Sequence, residues 1–203
     1  MKLSEAAGRL NSRSPKLPAL IFLTDQARVP DVAAVAATLP TGSAIILRDY
    51  AAPNRQKIAR SLAQLTQQHD LVLLIGSDVE LANAVGADGV HFREQDLASR
   101  ADEMTRIMER VTDRKKLIVT AAAHSAAALQ RAADFGADAA LLSPVFTTAS
   151  HPGSTPLGLA QFAVLAAAAP LPVYALGGID EENVNRLLTT NAVGIAAIGA
   201  LAG

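Results

Sequence analysis

Reactive side chains in this 203-residue chain recur just behind short apolar runs. Asp25 follows "FLT", Arg48 and Asp49 close "AIILRD", Ser77 and Asp78 follow "LLIG", His91 sits inside "GVHF", and His124 follows "VTAAA". A guanidinium, several carboxylates and two imidazoles gathered at one mouth can bind an anion and move a proton. The stretch "SPVFTTASHPGSTPLG" (143–158) adds Thr147, Thr148, Ser150 and His151 among prolines and glycines. So polar a loop in an alanine-rich chain is expected to form part of a binding mouth. "ALGGID" (175–180) and "AAIGALAG" (196–203) offer a different chemistry. The backbone N–H groups of Gly177, Gly178, Ile198 and Gly199 can cradle a phosphate, although glycines also serve tight turns.

Each polar candidate also has a structural reading. His91 can be a hydrogen-bonded strand residue, His124 can cap the following helix, and Asp96 can cap a helix beginning at Leu97. His91, His124 and His151 together are a ligand set that zinc can use. Arg48 is the strongest anion-binding candidate, because a guanidinium buried at a strand end without an anion is costly.

The elements that must position these groups are visible as eight apolar runs: 19–24, 43–48, 71–75, 88–92, 116–120, 138–143, 171–176 and 193–198. Continuous apolarity is what strands covered on both faces of a parallel sheet require. Between them, Ile58, Leu62 and Leu65, or Val184, Leu187 and Leu188, recur at helical spacing, with Asp180 as an N-cap for the latter. "AVLAAAAP" reads as a packed helix stopped by Pro170. Eight strand–helix units predict a closed (β/α)8 barrel in the α/β class, a TIM barrel, with a doubly wound open sheet as the alternative. The barrel is preferred because it brings all the polar strand ends onto one rim. A short N-terminal lead-in helix precedes the first strand, and only five residues follow Ile198, so the eighth helix is truncated. One domain over 1–203 is the simplest organisation.

Composition narrows the function. A formal charge of −1 with no basic run argues against nucleic acid and anionic membranes, and no apolar stretch is long enough to span a bilayer. The absence of cysteine removes disulfides and thiolate chemistry and fits a cytoplasmic address. A phosphorylated small-molecule substrate is the expected partner. The alanine-rich, weakly charged exterior is compatible with a homodimer.

"FLTD" (22–25), "ILRD" (46–49), "DVELANAVGADGVHFREQD" (78–96), "HS" (124–125), "SPVFTTAS" (143–150), "PLG" (156–158), "ALGGIDEENV" (175–184) and "GIAAIGA" (194–200) resemble, in order and spacing, the thiamine phosphate synthase family, which includes the related thiazole tautomerases. The resemblance implies a (β/α)8 barrel that joins an aminopyrimidine diphosphate to a thiazole phosphate, with Mg2+ on the leaving diphosphate. It implies that Gly177, Gly178, Ile198 and Gly199 hold the thiazole phosphate. Thr148 and Ser150 then lie near the thiazole and the diphosphate, Arg48 reaches the diphosphate, and Asp96 is one of two magnesium carboxylates. His91 and His151 join the substrate-facing set, and His124 matches the histidine of the tautomerase branch.

Departures from the family pattern cluster at one end of the site. Ile46 and Tyr50 stand where the family has an amide and a lysine, and Gly76-Ser77 stands for its "N-D". Ala122 replaces a serine, and His151 replaces the lysine that closes the polar loop. The phosphate end is thus kept, while two lysines and a metal carboxylate of the diphosphate end are gone. Three readings follow: a synthase with an altered diphosphate site, a thiazole tautomerase-like isomerase using His124, or a non-catalytic binder of thiazole phosphate or thiamine phosphate.

Overall fold

The structure is a computed structural model that describes residues 1–99, 102, 105, 117–148 and 155–201. Eight parallel strands close into a barrel in chain order: β1 (Leu20–Leu23), β2 (Ala44–Leu47), β3 (Val72–Gly76), β4 (Gly89–Phe92), β5 (Ile118–Ala123), β6 (Ala139–Leu142), β7 (Val173–Leu176) and β8 (Ala192–Ala197). All eight apolar runs are strands, and almost every strand residue is buried, as sheets covered on both faces demand. The fold is the (β/α)8 barrel, and the open-sheet alternative is excluded because β8 pairs with β1.

Among the described residues the helices with defined bounds are α1 (Leu3–Asn11), α2 (Val32–Thr38), α3 (Arg55–Gln68), α4 (Val79–Val85), α5 (Glu94–Ser99), α6 (Ala126–Asp134) and α7 (Gly158–Ala168). Their starts are fixed locally. Asp31, Asp78 and Ser125 each accept the backbone N–H three residues on, so the loops after β1, β3 and β5 turn into helices at defined points. A repeated Gly-Ala-Asp does the same work on the opposite face. Gly86 and Gly136 end their helices with φ of +68° and +86°. Two residues on, Asp88 accepts the N–H of Leu73 at 2.9 Å and Asp138 that of Val119 at 2.8 Å, tying the entries of β4 and β6 to β3 and β5.

The seventh and eighth units differ from the expected helices. Val184–Thr189 is a 3-10 helix that follows Asn183, while the Asp180 carboxylate accepts from the N–H groups of Glu182 and Asn183 and shapes the turn before it. Behind β8, among the described residues, Gly199–Leu201 forms a 3-10 turn. The lead-in helix α1 packs against β8 and the 3-10 helix Val184–Thr189. Its end is stitched down by Asn11 Nδ2, which donates to the carbonyl of Val193 at 3.3 Å, and by Arg13, which donates to that of Thr190 at 2.9 Å. Among the described residues no helix is long and apolar enough to cross a membrane.

The closing seam depends on one aromatic residue. Tyr174 on β7 is fully buried, its ring lies over Gly194 of β8, and its hydroxyl donates to the carbonyl of Pro18 at 2.5 Å, just ahead of β1. A side chain at 194 would collide with that ring and with the carbonyl of Ala19. Tyr174→Phe keeps the packing but strands a buried acceptor, so chemical denaturation should show a loss of about 1–2 kcal/mol. An unchanged unfolding midpoint would show that the seam does not need this bond.

Candidate active site

The polar loop and the glycine pair are built against each other. The N–H groups of Val145 and Phe146 donate to the carbonyls of Leu176 and Gly177 at 2.9 and 3.0 Å, so the segment after β6 continues along the end of β7. Gly177 and Gly178 adopt φ of +98° and +66°. A Cβ at 178 would run into the carbonyls of Thr147 and Phe146, and one at 177 into Pro144. Only glycine fits this double constraint of backbone and space. Asn183 holds the pair from the other side, donating to the carbonyl of Gly178 at 2.8 Å. The result is a cavity of about 340 Å³ lined by Thr147, Thr148, Gly177, Gly178, Ile198 and Gly199, with Arg28 also on its wall. All four predicted phosphate-binding positions meet there, together with Thr148. Ser150 and His151 lie outside the described residues.

A second cavity of about 620 Å³ adjoins the first through Leu176 and is lined by Arg48, Tyr50, His91, Arg93, Glu94 and His124. Arg48 does not face this cavity unpaired. Its backbone N–H donates to Thr24 Oγ1, and its guanidinium donates to Asp25 at 2.9 Å, where Arg28 also binds at 2.7 Å. Asp25 therefore offsets part of the burial cost that made Arg48 stand out in the sequence. Burial alone would raise the Asp25 carboxyl, but the hydrogen bonds and charge of Arg28, with Arg48 adding, hold it below the usual carboxylate range.

His91 is buried on β4 with Nδ1 2.9 Å from Thr120 Oγ1 on β5, the structural arrangement its strand position allowed. Burial, reinforced by the Arg48 charge and opposed by Asp96, lowers its pKa to about 4. It is therefore a neutral imidazole in the cavity wall. His124 is placed differently, at the end of β5. Its Nδ1 lies 2.7 Å from Glu94 Oε2, which also accepts the His124 N–H at 3.0 Å, while Arg131 of α6 binds the other oxygen at 2.9 Å. A carboxylate on Nδ1 sets the tautomer that carries its lone pair on Nε2, the arrangement a proton-transferring histidine needs.

Asp96 corrects two expectations. Its helix begins at Glu94 rather than Leu97, and from the third position the carboxylate reaches back to the N–H of Arg93, as one half of a capping box does. The same carboxylate accepts from Arg93 Nε at 3.1 Å, Arg93 Nη2 at 2.8 Å and Ser77 Oγ at 2.5 Å. A carboxylate offers about four lone-pair sites, and four donors already reach this one. Asp78, the nearest alternative carboxylate in sequence, caps α4 and pairs with Arg55 instead. Among the described residues no group of three or more His, Cys, Asp or Glu is placed to hold a metal. His151 of the three-histidine set lies outside the described residues, and of the expected magnesium pair Asp96 is taken up by Arg93 and Ser77 while Ser77 stands in the second carboxylate's place.

Arg93, Glu94 and Asn183 are the site residues that sequence reasoning passed over, and Tyr50 entered it only as the replacement for a family lysine. Arg93 and Glu94 had a usable signal, since they directly follow β4 in the rim position that had drawn attention to Asp25 and Arg48.

A parallel eight-stranded barrel with its polar groups on the carboxyl-terminal rim, and a glycine-lined cavity after β7 and β8, has the layout of a phosphate-binding barrel enzyme. Residues 20–201 match the model of a family described as thiamine monophosphate synthase. The thiamine-phosphate synthase of Pyrococcus furiosus is 31% identical over 188 residues, spanning 91% of this chain and 86% of that protein. That of Methanoculleus marisnigri is 35% identical over 162 residues, spanning 78% and 74%. The solved thiamine phosphate pyrophosphorylase from Pyrococcus furiosus superposes with a TM-score of 0.73 at 28% identity, over 93% of this chain and 89% of that one. The chain belongs to the thiamine monophosphate synthase family.

The buried neutral His91 makes stability depend on pH. Its folded pKa lies near 4 against 6.5 when exposed, so between these values the unfolded chain takes up a proton that the folded chain refuses. Its contribution is complete above the unfolded pKa and is lost as pH falls toward the folded one. Denaturant titrations at about pH 7 and about pH 5 should differ by about 2 kcal/mol more in wild type than in His91→Gln. Equal slopes in the two proteins would remove His91 as the cause.

Proposed function

We propose that this chain is a transferase of thiamine biosynthesis, acting as one domain over residues 1–203. It joins an aminopyrimidine diphosphate to a thiazole phosphate and releases diphosphate. The observation that carries this reading is the coincidence of a family match over residues 20–201 with a glycine-lined cavity at the ends of β7 and β8. Both substrates are small and strongly charged, which fits a cytoplasmic setting and a rim that supplies dipoles and cations.

In this reading the thiazole phosphate is held by the backbone N–H groups of Gly177, Gly178, Ile198 and Gly199, with Thr148 beside the ring and Ser150 and His151 following on the same loop. Leu176, which lines both cavities, supports a thiazole lying between them. The pyrimidine diphosphate occupies the larger one. The thiazole nitrogen forms a C–N bond to the pyrimidine methylene as the C–O bond to diphosphate breaks, so negative charge grows on the leaving group. Arg48 meets that charge, with its guanidinium already oriented by Asp25, and fixed cations of this kind lower the barrier without reorganising. His91, neutral and bonded to Thr120, shapes the wall beneath the pyrimidine. Because the side chains present do not fit Mg2+, the reaction is assigned no step through it.

A second reading, proton transfer on a thiazole phosphate carboxylate, is favoured by one specific arrangement, the Glu94-oriented His124. Such an isomerisation needs a base near neutral pKa and no diphosphate site.

Calorimetric titration with thiazole phosphate and then aminopyrimidine diphosphate, in wild type and Arg48→Ala, separates these readings when paired with a turnover assay. Synthase action requires both ligands to bind, thiamine phosphate to form, and the variant to lose about tenfold or more in diphosphate-substrate affinity. If only thiazole phosphate binds and solvent deuterium exchanges into the thiazole carboxylate in a His124-dependent way, the isomerase reading replaces it. Binding of thiazole phosphate with neither reaction would leave a binding protein.

A further inference from the structure

We propose that the diphosphate end of this site carries its own cation: the guanidinium of Arg93, clamped on Asp96, occupies the role of a divalent metal, so that a diphosphate group binds without magnesium. The inference rests on the synthase reading for the identity of the ligand, but its geometry stands on the rim alone.

Arg93 binds Asp96 through two side-chain nitrogens and its own backbone N–H, and the Asp96 side chain is only 3% exposed. This is the fork-on-carboxylate geometry that a guanidinium, unlike an ammonium, can adopt. Ser77 matters because it stands where the family pattern places the second carboxylate. Here a hydroxyl donates to Asp96 instead, so the position contributes a donor where a metal would need an acceptor. The remaining carboxylates of this rim sector are also committed, Asp78 to Arg55 and the N–H of Leu81, and Glu94 to His124 and Arg131. A divalent ion would have to displace Arg93 from a buried carboxylate and then sit beside its positive charge.

The cation is also aimed at the cavity. Arg93 Cζ lies 4.7 Å above the ring of Tyr50, the residue in place of a family lysine, and Arg55 approaches the same ring at 5.7 Å. Tyr50 is thus a platform that keeps the Arg93 guanidinium over the strand ends, next to Arg48 on the wall of the same cavity. Positive charge missing from β2 is supplied from the turn after β4. The ligand class is a diphosphate, whose oxygens match the planar forks of Arg48 and Arg93.

The test uses the full chain and two probes, Mn2+ alone followed by electron paramagnetic resonance, and inorganic pyrophosphate followed by calorimetry in EDTA and in excess magnesium. Wild type is expected to leave the Mn2+ spectrum as in buffer, and to bind pyrophosphate with an affinity that changes less than about twofold between the two conditions. Arg93→Ala should weaken pyrophosphate about tenfold in EDTA, with Arg93→Lys in between. The double variant Ser77→Asp with Arg93→Gly should acquire Mn2+ binding, Asp being well tolerated at the left-handed φ of 53° found at this position. Should a variant fail to fold, as judged by circular dichroism, the wild-type measurements still decide. Mn2+ binding by wild type, a tenfold or greater magnesium requirement for pyrophosphate, or no pyrophosphate binding in either condition overturns the proposal. A parallel titration with thiazole phosphate separates the two levels. Metal-free pyrophosphate binding without thiazole phosphate binding sinks the synthase reading and spares Arg93, whereas both ligands binding with a magnesium requirement does the reverse.

Discussion

Everything on the rim depends on β8 closing against β1. Leu20, Ile21 and Phe22 pair with Ile195, Ala196 and Ala197, and this register sets the circumference on which all eight strand ends stand. Closure needs small residues on the last strand, because the Tyr174 ring and the entering backbone at Ala19 both press on Gly194. It also puts the glycine turns after β7 and β8 next to Arg28 and the segment after β1. Residues almost the whole chain apart, such as Arg28 and Ile198, thereby share one cavity, and a slip of one residue in β8 would point its neighbours to the wrong side of the barrel wall.

Given that frame, the electrostatics of the mouth follow from how its carboxylates are used. Asp25, Asp49, Glu94 and Asp96 all lie on the rim, yet each accepts from a neighbour: Asp25 from Arg28 and Arg48, Asp49 from Thr24 and the N–H of Gln26, Glu94 from His124 and Arg131, and Asp96 from Arg93 and Ser77. A rim of unengaged carboxylates would repel a phosphorylated ligand or recruit metal to it. Here the acidic groups instead orient the basic ones, and orientation matters because a guanidinium fixed in advance loses less entropy when an anion arrives.

The sequence carried the architecture because buried parallel strands leave a direct mark, uninterrupted apolar runs at regular spacing, and all eight runs became strands. It also carried the glycine-lined cavity after β7 and β8, since Gly177 and Gly178, which need positive φ and close approach, leave little choice of residue. The 3-10 segment at Val184–Thr189 was harder to read. Its apolar spacing suits a helix of either kind, and the Asp180 carboxylate is spent on the turn before it. Side-chain pairing across strands was hidden altogether. Arg93 on Asp96 is a local i, i+3 pair, but nothing in "FREQD" says that Glu94 reaches across to β5, because that contact depends on where β4 and β5 sit in three dimensions. The same blindness made Arg48 look like a cation in need of an external anion when Asp25, across the β1–β2 seam, already meets it.

The contrast between the two ends of the site has a physical cause. At the end assigned to the phosphate the proposed donors are backbone N–H groups, and Gly177 and Gly178 are locked by the loop from Pro144 to Thr147, so a substitution at either damages the fold before it alters chemistry. At the other end the groups are side chains at the tips of β2, β3 and β4, where one residue can be exchanged for another without disturbing a strand. A lysine can give way to Tyr50 and a carboxylate to Ser77 provided the net charge is restored nearby, and the turn after β4 does so with Arg93. The barrel itself thus constrains the backbone-built half more tightly than the side-chain-built half, and the proposed use of a guanidinium in place of a metal is a change that such a rim permits.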